Sequence, residues 1–249
     1  MRETENTELL KKRFTELSRR ADSRSCWEFS SFLSLAEQSI LMELKLPSKV
    51  SLWGGYEGAE RRIAVFGSEE DCGYTEEPPI VCVKIEPANK KFAEELSHRD
   101  FLGSLMGLGI EREVLGDIVI KDSEAWFFCL ESISGYVIGE LTSVRRTTVK
   151  CSLSEPPEYL NEKPEITSAV TASERLDGVI AAVYNLSRSE GKKAVESGKV
   201  FLDGLQVLNP SAQIKQGTIV SVRGTGRFIY EGIEKETRRG RLRVLVRKY

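Results

Sequence analysis

The fold of the last third of the chain is decided by two segments, Glu174-Arg-Leu-Asp-Gly-Val-Ile180 and Leu186-Ser-Arg-Ser-Glu-Gly-Lys-Lys-Ala-Val-Glu-Ser-Gly198. Two capping-box patterns, Thr171-Ala-Ser-Glu174 and Ser187-Arg-Ser-Glu190, each predict the start of a helix. The first helix is expected to bury one face, because apolar residues recur at i, i+3, i+4 and i+7: Leu176, Val179, Ile180 and Val183. Gly198 suits the position just after the end of the second helix.

Basic side chains lie near the starts of both predicted helices. Arg175 opens the first helix off its apolar face, and Arg188, Lys192 and Lys193 can share the outer surface of the second. A helix N-terminus attracts anions, and arginine forks match phosphate oxygens. The pattern therefore predicts contact with an RNA backbone, held by shape and charge. The alternative, that these side chains only solvate a helix face, stays open for each residue taken alone.

The segments after the helices predict a small sheet. Val200-Phe-Leu202 is typical of a strand, and Asp203-Gly204 indicates a two-residue hairpin turn. Arg223 and Arg227 fall in a Gly/Arg loop. In the last segment apolar residues alternate with arginines, which predicts a half-buried strand with a basic outer face: Leu242, Val244 and Val246 with Arg243 and Arg247. An amphipathic edge strand without a ligand explains that alternation equally well.

Charge is unevenly distributed along a chain whose net charge is only −2. Residues 172–249 hold 15 Lys and Arg against 8 Asp and Glu, which gives +7. Residues 1–171 hold 36 − 15 = 21 basic and 38 − 8 = 30 acidic residues, which gives −9. This asymmetry indicates a polyanion-binding module attached to an acidic body.

Composition narrows the class of protein. A length of 249 residues suits two or three domains, and no apolar run approaches the roughly 18 residues of a membrane span. The N-terminus is polar and has no apolar signal-peptide core. Five cysteines without a Cys-x-x-Cys pair and a single histidine, His98, argue against a zinc site and favour a reduced cytoplasmic protein.

The rest of the chain predicts an α+β architecture in four parts. Residues 1–60 form a helical N-terminal region, with a second helix expected from Phe29. Residues 61–153 form an RRM-like or ferredoxin-like domain in ββαββαβ order, with helices on one face of a mostly antiparallel sheet. The base-stacking motif of an RRM is not recognisable there. Residues 154–168, rich in Pro and Glu, read as an extended linker, and residues 169–249 form the basic module.

The basic module resembles the S-four (S4) RNA-binding domain, a unit of two helices and a small sheet. The whole chain resembles the bacterial YlmH family, through Phe32-Leu-Ser-Leu-Ala-Glu-Gln38, His98-Arg-Asp-Phe-Leu-Gly-Ser-Leu-Met-Gly-Leu-Gly-Ile-Glu-Arg-Glu113, Gly116-Asp-Ile118, Val222-Arg-Gly-Thr-Gly-Arg-Phe228 and residues 237–241.

This resemblance implies a bacterial, cytoplasmic RNA-binding protein that associates with the ribosome. Its partners would be large-subunit rRNA and, as a further candidate, peptidyl-tRNA, in rescue or quality control of stalled large subunits. Family members are also linked to cell division. The implied RNA contacts begin with Arg175 and Arg188, and the remaining candidates are Asp177, Ser187, Ser189, Lys192, Lys193, Arg223 and Arg227.

Some residues also suggest an enzyme. His98-Arg-Asp100 and Asp117 offer acid–base groups, and Arg175-Leu-Asp177 is similar to a tripeptide that carries the catalytic Asp of some pseudouridine synthases. The large catalytic domain of those enzymes is missing, and neither a methyltransferase glycine loop in a βαβ unit nor a P-loop is found. We therefore expect a monomeric protein that is not an enzyme and has no cofactor or metal. The alternatives are an rRNA-modifying enzyme, pseudouridine synthase-like or methyltransferase-like, and an adaptor in cell division.

Overall fold

The chain divides near residue 162 into two units, residues 1–162 and 163–249, and each contains its own buried apolar cluster. The computed structural model describes residues 2–161, 164–238 and 240–248. The division falls inside the predicted linker 154–168, of which Glu162 and Lys163 lie outside the described residues. The linker is not extended throughout, because Leu160 packs in the core of the first unit and Ile166 already begins a strand of the second.

The N-terminal part of the first unit combines helices with a small antiparallel sheet. Its helices are α1 (Arg2–Arg24), α2 (Leu35–Met42) and the short α3 (Glu69–Cys72). Its strands are β1 (Glu28–Leu33), β2 (Val50–Trp53) and β3 (Arg62–Phe66), in the order β1-β3-β2. Phe14 and Leu17 of α1 pack with Leu41 of α2 against Phe66 of β3.

The helical N-terminus is confirmed, but the helix expected from Phe29 begins only at Leu35. Ser30 and Phe32 are both buried, two residues apart, as in a strand. The Ser30 hydroxyl also accepts a hydrogen bond from the Ala64 amide at 2.8 Å, which fixes β1 beside β3. The helix then starts at a capping box between Ser34 and Glu37.

The middle of the first unit is a five-stranded antiparallel sheet with the order β5-β6-β4-β8-β7. Its strands are β4 (Ile80–Pro87), β5 (Leu115–Lys121), β6 (Glu124–Leu130), β7 (Ser143–Val144) and β8 (Thr147–Leu153). Helices α4 (His98–Gly107) and α5 (Glu131–Glu140) cover one face. If β4, β5, β6 and β8 are counted as strands 1 to 4 of this domain, their order in the sheet is 4-1-3-2. This is the strand order of a ferredoxin-like domain, so the RRM-like prediction is confirmed. Only β3 departs from the expected ββαββαβ series, because it is the central strand of the N-terminal sheet.

The second face of the five-stranded sheet is covered by the N-terminal sheet. Phe128 and Cys82 point to this face and are 1% and 5% exposed. They pack with Phe32 and Ile63 of the N-terminal sheet and with Leu160 of the 3₁₀ turn Glu158–Asn161. An RRM presents aromatic side chains to bases on the corresponding face. Here the central part of that face is an internal packing surface.

The second unit is a six-stranded antiparallel sheet with two helices. Its strands are β9 (Ile166–Thr171), β10 (Val200–Leu202), β11 (Leu205–Gln206), β12 (Ile219–Val222), β13 (Gly226–Glu236) and β14 (Leu242–Lys248), in the order β11-β10-β12-β13-β14-β9. Helices α6 (Leu176–Tyr184) and α7 (Arg188–Glu196) pack on it. Leu176, Val179 and Ile180 are fully buried, which confirms the predicted apolar face of α6.

Two local predictions in this unit depend on backbone geometry. Asp203 and Gly204 have φ values of 47° and 80°, so they form the predicted hairpin turn between β10 and β11. The close contact of α6 with α7 depends on Gly191, since a Cβ atom there would lie 2.5 Å from the Asp177 carbonyl oxygen. Among the described residues, no helix is both long and apolar enough to span a bilayer.

Candidate nucleic-acid interface

Helix α7 presents a row of cations, which we call the α7 surface: Arg188, Lys192 and Lys193. The helix starts where sequence predicted, because the Glu190 amide donates to the Ser187 hydroxyl at 3.2 Å and the Ser187 amide to the Glu190 carboxylate at 2.7 Å. Gly191 and Val195 are buried against the rest of the unit, so the three cations are exposed. Within the described residues Arg188 and Lys193 have no ion-pair partner, whereas Lys192 lies 3.5 Å from Glu196.

The N-terminus of α7 remains open. The amides of Arg188 and Ser189 have no acceptor among the described residues, and the hydroxyls of Ser187 and Ser189 lie 3.0 Å apart beside them. Unpaired amides at a helix start favour a bound anion. Ser187, Arg188 and Ser189, three of the residues that the family resemblance implies as RNA contacts, thus lie together at the start of α7.

The N-terminus of α6 is closed, which corrects the expectation of a second anion site there. The Leu176 amide donates to the Ala212 carbonyl at 2.9 Å, and the Asp177 amide to the Pro210 carbonyl at 3.1 Å. The next amide, Gly178, donates to the Asp177 carboxylate at 2.8 Å. The first three amides of the helix therefore have protein acceptors.

The capping box predicted at Thr171–Glu174 is also wrong. Thr171 ends strand β9, and its hydroxyl donates to the Ser173 carbonyl at 3.0 Å. The Glu174 carboxylate accepts instead from the Tyr230 hydroxyl at 2.6 Å. The helix begins after Arg175, which takes the N-cap position without a side-chain cap.

Arg175 is held in place by Asp177. Its Nε and Nη2 donate to the two oxygens of that carboxylate at 3.1 and 3.0 Å. The side chain of Asp177 is 3% exposed and that of Arg175 is 39% exposed. The Asp177 carboxylate is therefore buried and positions the arginine, which argues against direct RNA contact by Asp177 itself. The paired carboxylate raises the pKa of Arg175, so the guanidinium stays charged.

The Gly/Arg loop connects β12 to β13 and adds two further arginines. The Arg223 guanidinium stacks over the Phe201 ring, 4.4 Å from its centroid, and is exposed. Arg227 is half-buried at the start of β13. The Arg223 amide donates to the Lys199 carbonyl at 2.9 Å, so the loop lies beside the exposed Lys199. Sequence reasoning missed Lys199, although its place directly after the Gly198 helix terminus was a usable signal.

Strand β14 does not carry the expected basic outer face. It lies between β13 and β9, so it is an interior strand and not an edge. Arg247 Nε lies 2.6 Å from Glu231, and Arg243 Nε lies 3.7 Å from Glu234. Acidic partners on β13 thus neutralise both arginines. The buried side chains of this strand, Val244 and Val246, are where the alternation predicts them.

Asp117 in the first unit has a half-buried carboxylate that is held by hydrogen bonds. It accepts from the Tyr56 hydroxyl at 2.9 Å and from the amides of Glu60 and Arg61 at 2.6 and 3.0 Å. Burial raises its pKa, against the opposing effect of these hydrogen bonds. Arg112 donates to the Gly116 carbonyl at 3.0 Å, at the start of β5. This cluster ties the loop before β3 to β5.

The other acid–base candidates lie at the start of α4. The Asp100 carboxylate accepts from the hydroxyl and the amide of Ser97 and lies 3.4 Å from Arg145; these hydrogen bonds lower its pKa. Burial and the nearby Arg112 charge lower the pKa of His98, so the imidazole is neutral near pH 7. Both carboxylates are thus occupied by structural contacts.

The two-helix module with its cationic α7 surface, together with an RRM-like domain, defines the class of RNA-binding proteins that contain an S4 domain. Two family models match the chain: "Putative RNA-binding domain in YlmH" over residues 76–157 and "S4 domain" over residues 174–220. The chain is 30% identical over 228 residues to "Ribosome-associated protein quality control protein P2" of Bacillus subtilis (strain 168), covering 87% of this chain and 85% of the relative. The chain belongs to the YlmH family.

A solved structure with a similar chain is "Cell division protein ylmH from Streptococcus pneumoniae". The two chains are 18% identical, with a TM-score of 0.48, over 60% of this chain and 91% of the other.

Proposed function

We propose that this protein is a non-enzymatic, cytoplasmic RNA-binding protein that associates with the large ribosomal subunit as a monomer. In this proposal the α7 surface and Arg175 contact rRNA, with peptidyl-tRNA as a further partner. The protein acts in rescue or quality control of stalled large subunits. The observation that carries the proposal is the α7 surface, where Arg188 and Lys193 are exposed and unpaired among the described residues beside an open helix N-terminus.

Segregation of charge supports the same function. Residues 163–249 hold 16 basic and 9 acidic residues, or +7, and residues 1–162 hold 20 and 29, or −9. Such a distribution favours binding of a polyanion by the second unit. The name of the Bacillus subtilis relative, a ribosome-associated quality control protein, supports the ribosome as the source of that RNA.

The structural use of the acid–base candidates supports a non-enzymatic role. Asp117 accepts three hydrogen bonds from the loop before β3, and Asp100 is held by Ser97 and Arg145. A general base needs a free oxygen or nitrogen within reach of the substrate proton. His98 has a lowered pKa, but among the described residues it makes no hydrogen bond to either of these carboxylates, which could otherwise orient it.

Sedimentation with ribosomal subunits tests the proposal. We would compare the full-length wild type with the double variant Arg188→Ala, Lys193→Ala and with Lys215→Ala, an exposed cation outside the α7 surface. Wild type and Lys215→Ala are expected to sediment with large subunits, and the double variant to stay at the top of the gradient. Each lost phosphate contact should also reduce the slope of log K against log salt by about 0.7–0.9.

The contrary results are equally specific. If the double variant sediments with large subunits as the wild type does, the α7 surface does not contribute to binding of the subunit. If the wild type also stays at the top with subunits that carry peptidyl-tRNA, association with the large subunit is wrong. Unchanged circular dichroism spectra of all variants would show that a lost interaction is not a lost fold.

A further inference from the structure

A cleft of about 760 Å³ lies in the second unit between strand β9 and helix α6. Small side chains form the α6 wall, so that no bulky group fills it. The residues that matter most for its chemistry are Val170, Ala172, Gly178, Ala182, Arg188 and Arg241. The volume falls in the range of about 300–1,000 Å³ that is usual for small-ligand sites.

The β9 side of the cleft is an open sheet edge. Strand β9 is last in the sheet, and β14 is its only strand partner among the described residues. Backbone amides and carbonyls on the other edge of such a strand are available as hydrogen-bond donors and acceptors. Val170 on this strand is 43% exposed, although it is apolar. The edge thus offers both an apolar contact and hydrogen-bonding groups.

Two arginines from different elements line the same cleft. Arg188 comes from the start of α7, and Arg241 comes from the turn before β14. Both are exposed, and neither side chain has a partner among the described residues. A peptide strand could also pair with the β9 edge, but two unneutralised guanidinium groups favour an anionic occupant.

We propose that this cleft receives one unpaired nucleotide of the bound RNA. Its base would lie against Val170 and the small side chains of α6, with its polar edge hydrogen-bonded to the open edge of β9. Arg188 and Arg241 would hold the flanking phosphates. Unpaired bases are the usual targets of selective RNA recognition, because their faces and edges are accessible. The inference rests on the proposed function, since it names the RNA feature that the same unit would select.

The test compares two RNA hairpins, one fully paired and one with a single bulged nucleotide, in binding to the full-length protein. Fluorescence anisotropy at fixed salt gives both dissociation constants. Wild type is expected to prefer the bulged hairpin roughly tenfold, because only the unpaired base can bury its apolar faces against Val170 and the small side chains of α6. Ala182→Leu fills the cleft and should abolish this preference, so that the two hairpins bind with about equal affinity. The affinity for the paired hairpin should stay that of the wild type.

Arg241→Ala and Arg238→Ala form a matched pair, because both arginines are exposed on the same turn and only Arg241 lines the cleft. Arg241→Ala is expected to lose affinity mainly for the bulged hairpin, and Arg238→Ala to lose the same small factor for both hairpins. Ala172→Leu provides a second filling variant at an exposed position, in case Ala182→Leu disturbs folding.

Two results would overturn the proposal. One is equal wild-type affinity for both hairpins, and the other is an unchanged preference in the filling variants that remain folded. Either result would be compatible with binding of paired RNA through the α7 surface. The proposed function would therefore still hold. Failure of the wild type to bind either hairpin or ribosomal subunits would instead remove the proposed function itself.

Discussion

Arg175 and Asp177, two residues apart at the start of α6, form a two-point hydrogen-bonded ion pair in which only the arginine reaches solvent. The carboxylate also caps the helix through the Gly178 amide. One buried group therefore fixes both the first turn of the helix and the direction of an exposed cation.

Replacement of Asp177 should separate these two roles. We expect Asp177→Ala to lower the free energy of unfolding by about 1–3 kcal/mol, because the helix loses its cap and Arg175 loses its acceptor. Asp177→Asn keeps one oxygen for the Gly178 amide and should lose less stability. Urea denaturation and RNA titration of both variants measure the two effects. Equal stability of the two variants would contradict a capping role for the carboxylate.

Gly191→Ala should destabilise the second unit, although alanine favours helices. The added Cβ would lie 2.5 Å from the Asp177 carbonyl oxygen and 3.1 Å from the Ala181 Cβ, so the helices must separate. We expect a loss of about 1–3 kcal/mol in the urea transition. Gly139→Ala on α5 is the matched control, because no atom lies within 4 Å of its Cβ position. That variant should gain up to about 1 kcal/mol, and the reverse order would contradict the packing argument.

Arg247→Ala should affect stability and leave RNA binding unchanged. The guanidinium contacts Glu231 at 2.6 Å and the Pro164 carbonyl at 2.9 Å, so it is engaged within the unit. We expect a loss of about 1–3 kcal/mol in unfolding free energy from the unpaired groups. RNA affinity, measured under conditions where the chain is folded, should stay within about twofold of the wild type because surface charge away from the contact acts weakly. A large loss of RNA affinity in Arg247→Ala would instead indicate that β14 is part of the RNA-binding surface.

The capping box of α7 predicts a pH dependence. Hydrogen bonds from Ser187 hold the pKa of Glu190 below its ordinary value. A depressed folded-state pKa means that the ionised carboxylate stabilises the fold above the ordinary value. This contribution is lost as the pH falls through the folded pKa. Glu190→Gln should therefore melt below the wild type at about pH 7 and approach it at about pH 3. Glu196→Gln on the same helix is the control for loss of one charge, and a pH-independent gap between Glu190→Gln and wild type would refute the expectation.

Local chemistry explains what the sequence predicted well. The Ser187–Glu190 box and the Asp203-Gly204 turn each depend on residues within a few positions, and both occur as expected. The ferredoxin-like strand order follows from the alternation of strands and helices in the middle of the chain. The RNA contacts that were expected from the sequence stay predictions: Arg175, Asp177, Ser187, Arg188, Ser189, Lys192, Lys193, Arg223 and Arg227.

The features that sequence reasoning did not predict depend on residues that are far apart in the chain. The Thr171–Glu174 box fails because Glu174 pairs with Tyr230 and Thr171 pairs in the sheet with Leu242. The basic face of β14 fails because Glu231 and Glu234 lie on the neighbouring strand. The cleft was missed because Arg188 and Arg241 are far apart in sequence and line the same cleft only in the folded unit.

The covered face of the five-stranded sheet has a practical consequence for anyone who makes fragments of this protein. A piece cut at residues 76–157, where the family model begins and ends, would leave β1, β2 and β3 behind. Phe128 and Cys82 would then face water, and an apolar patch of that kind promotes self-association. The limits of sequence similarity are therefore not the limits of an independently stable piece, which must also include the chain from α1 through β3.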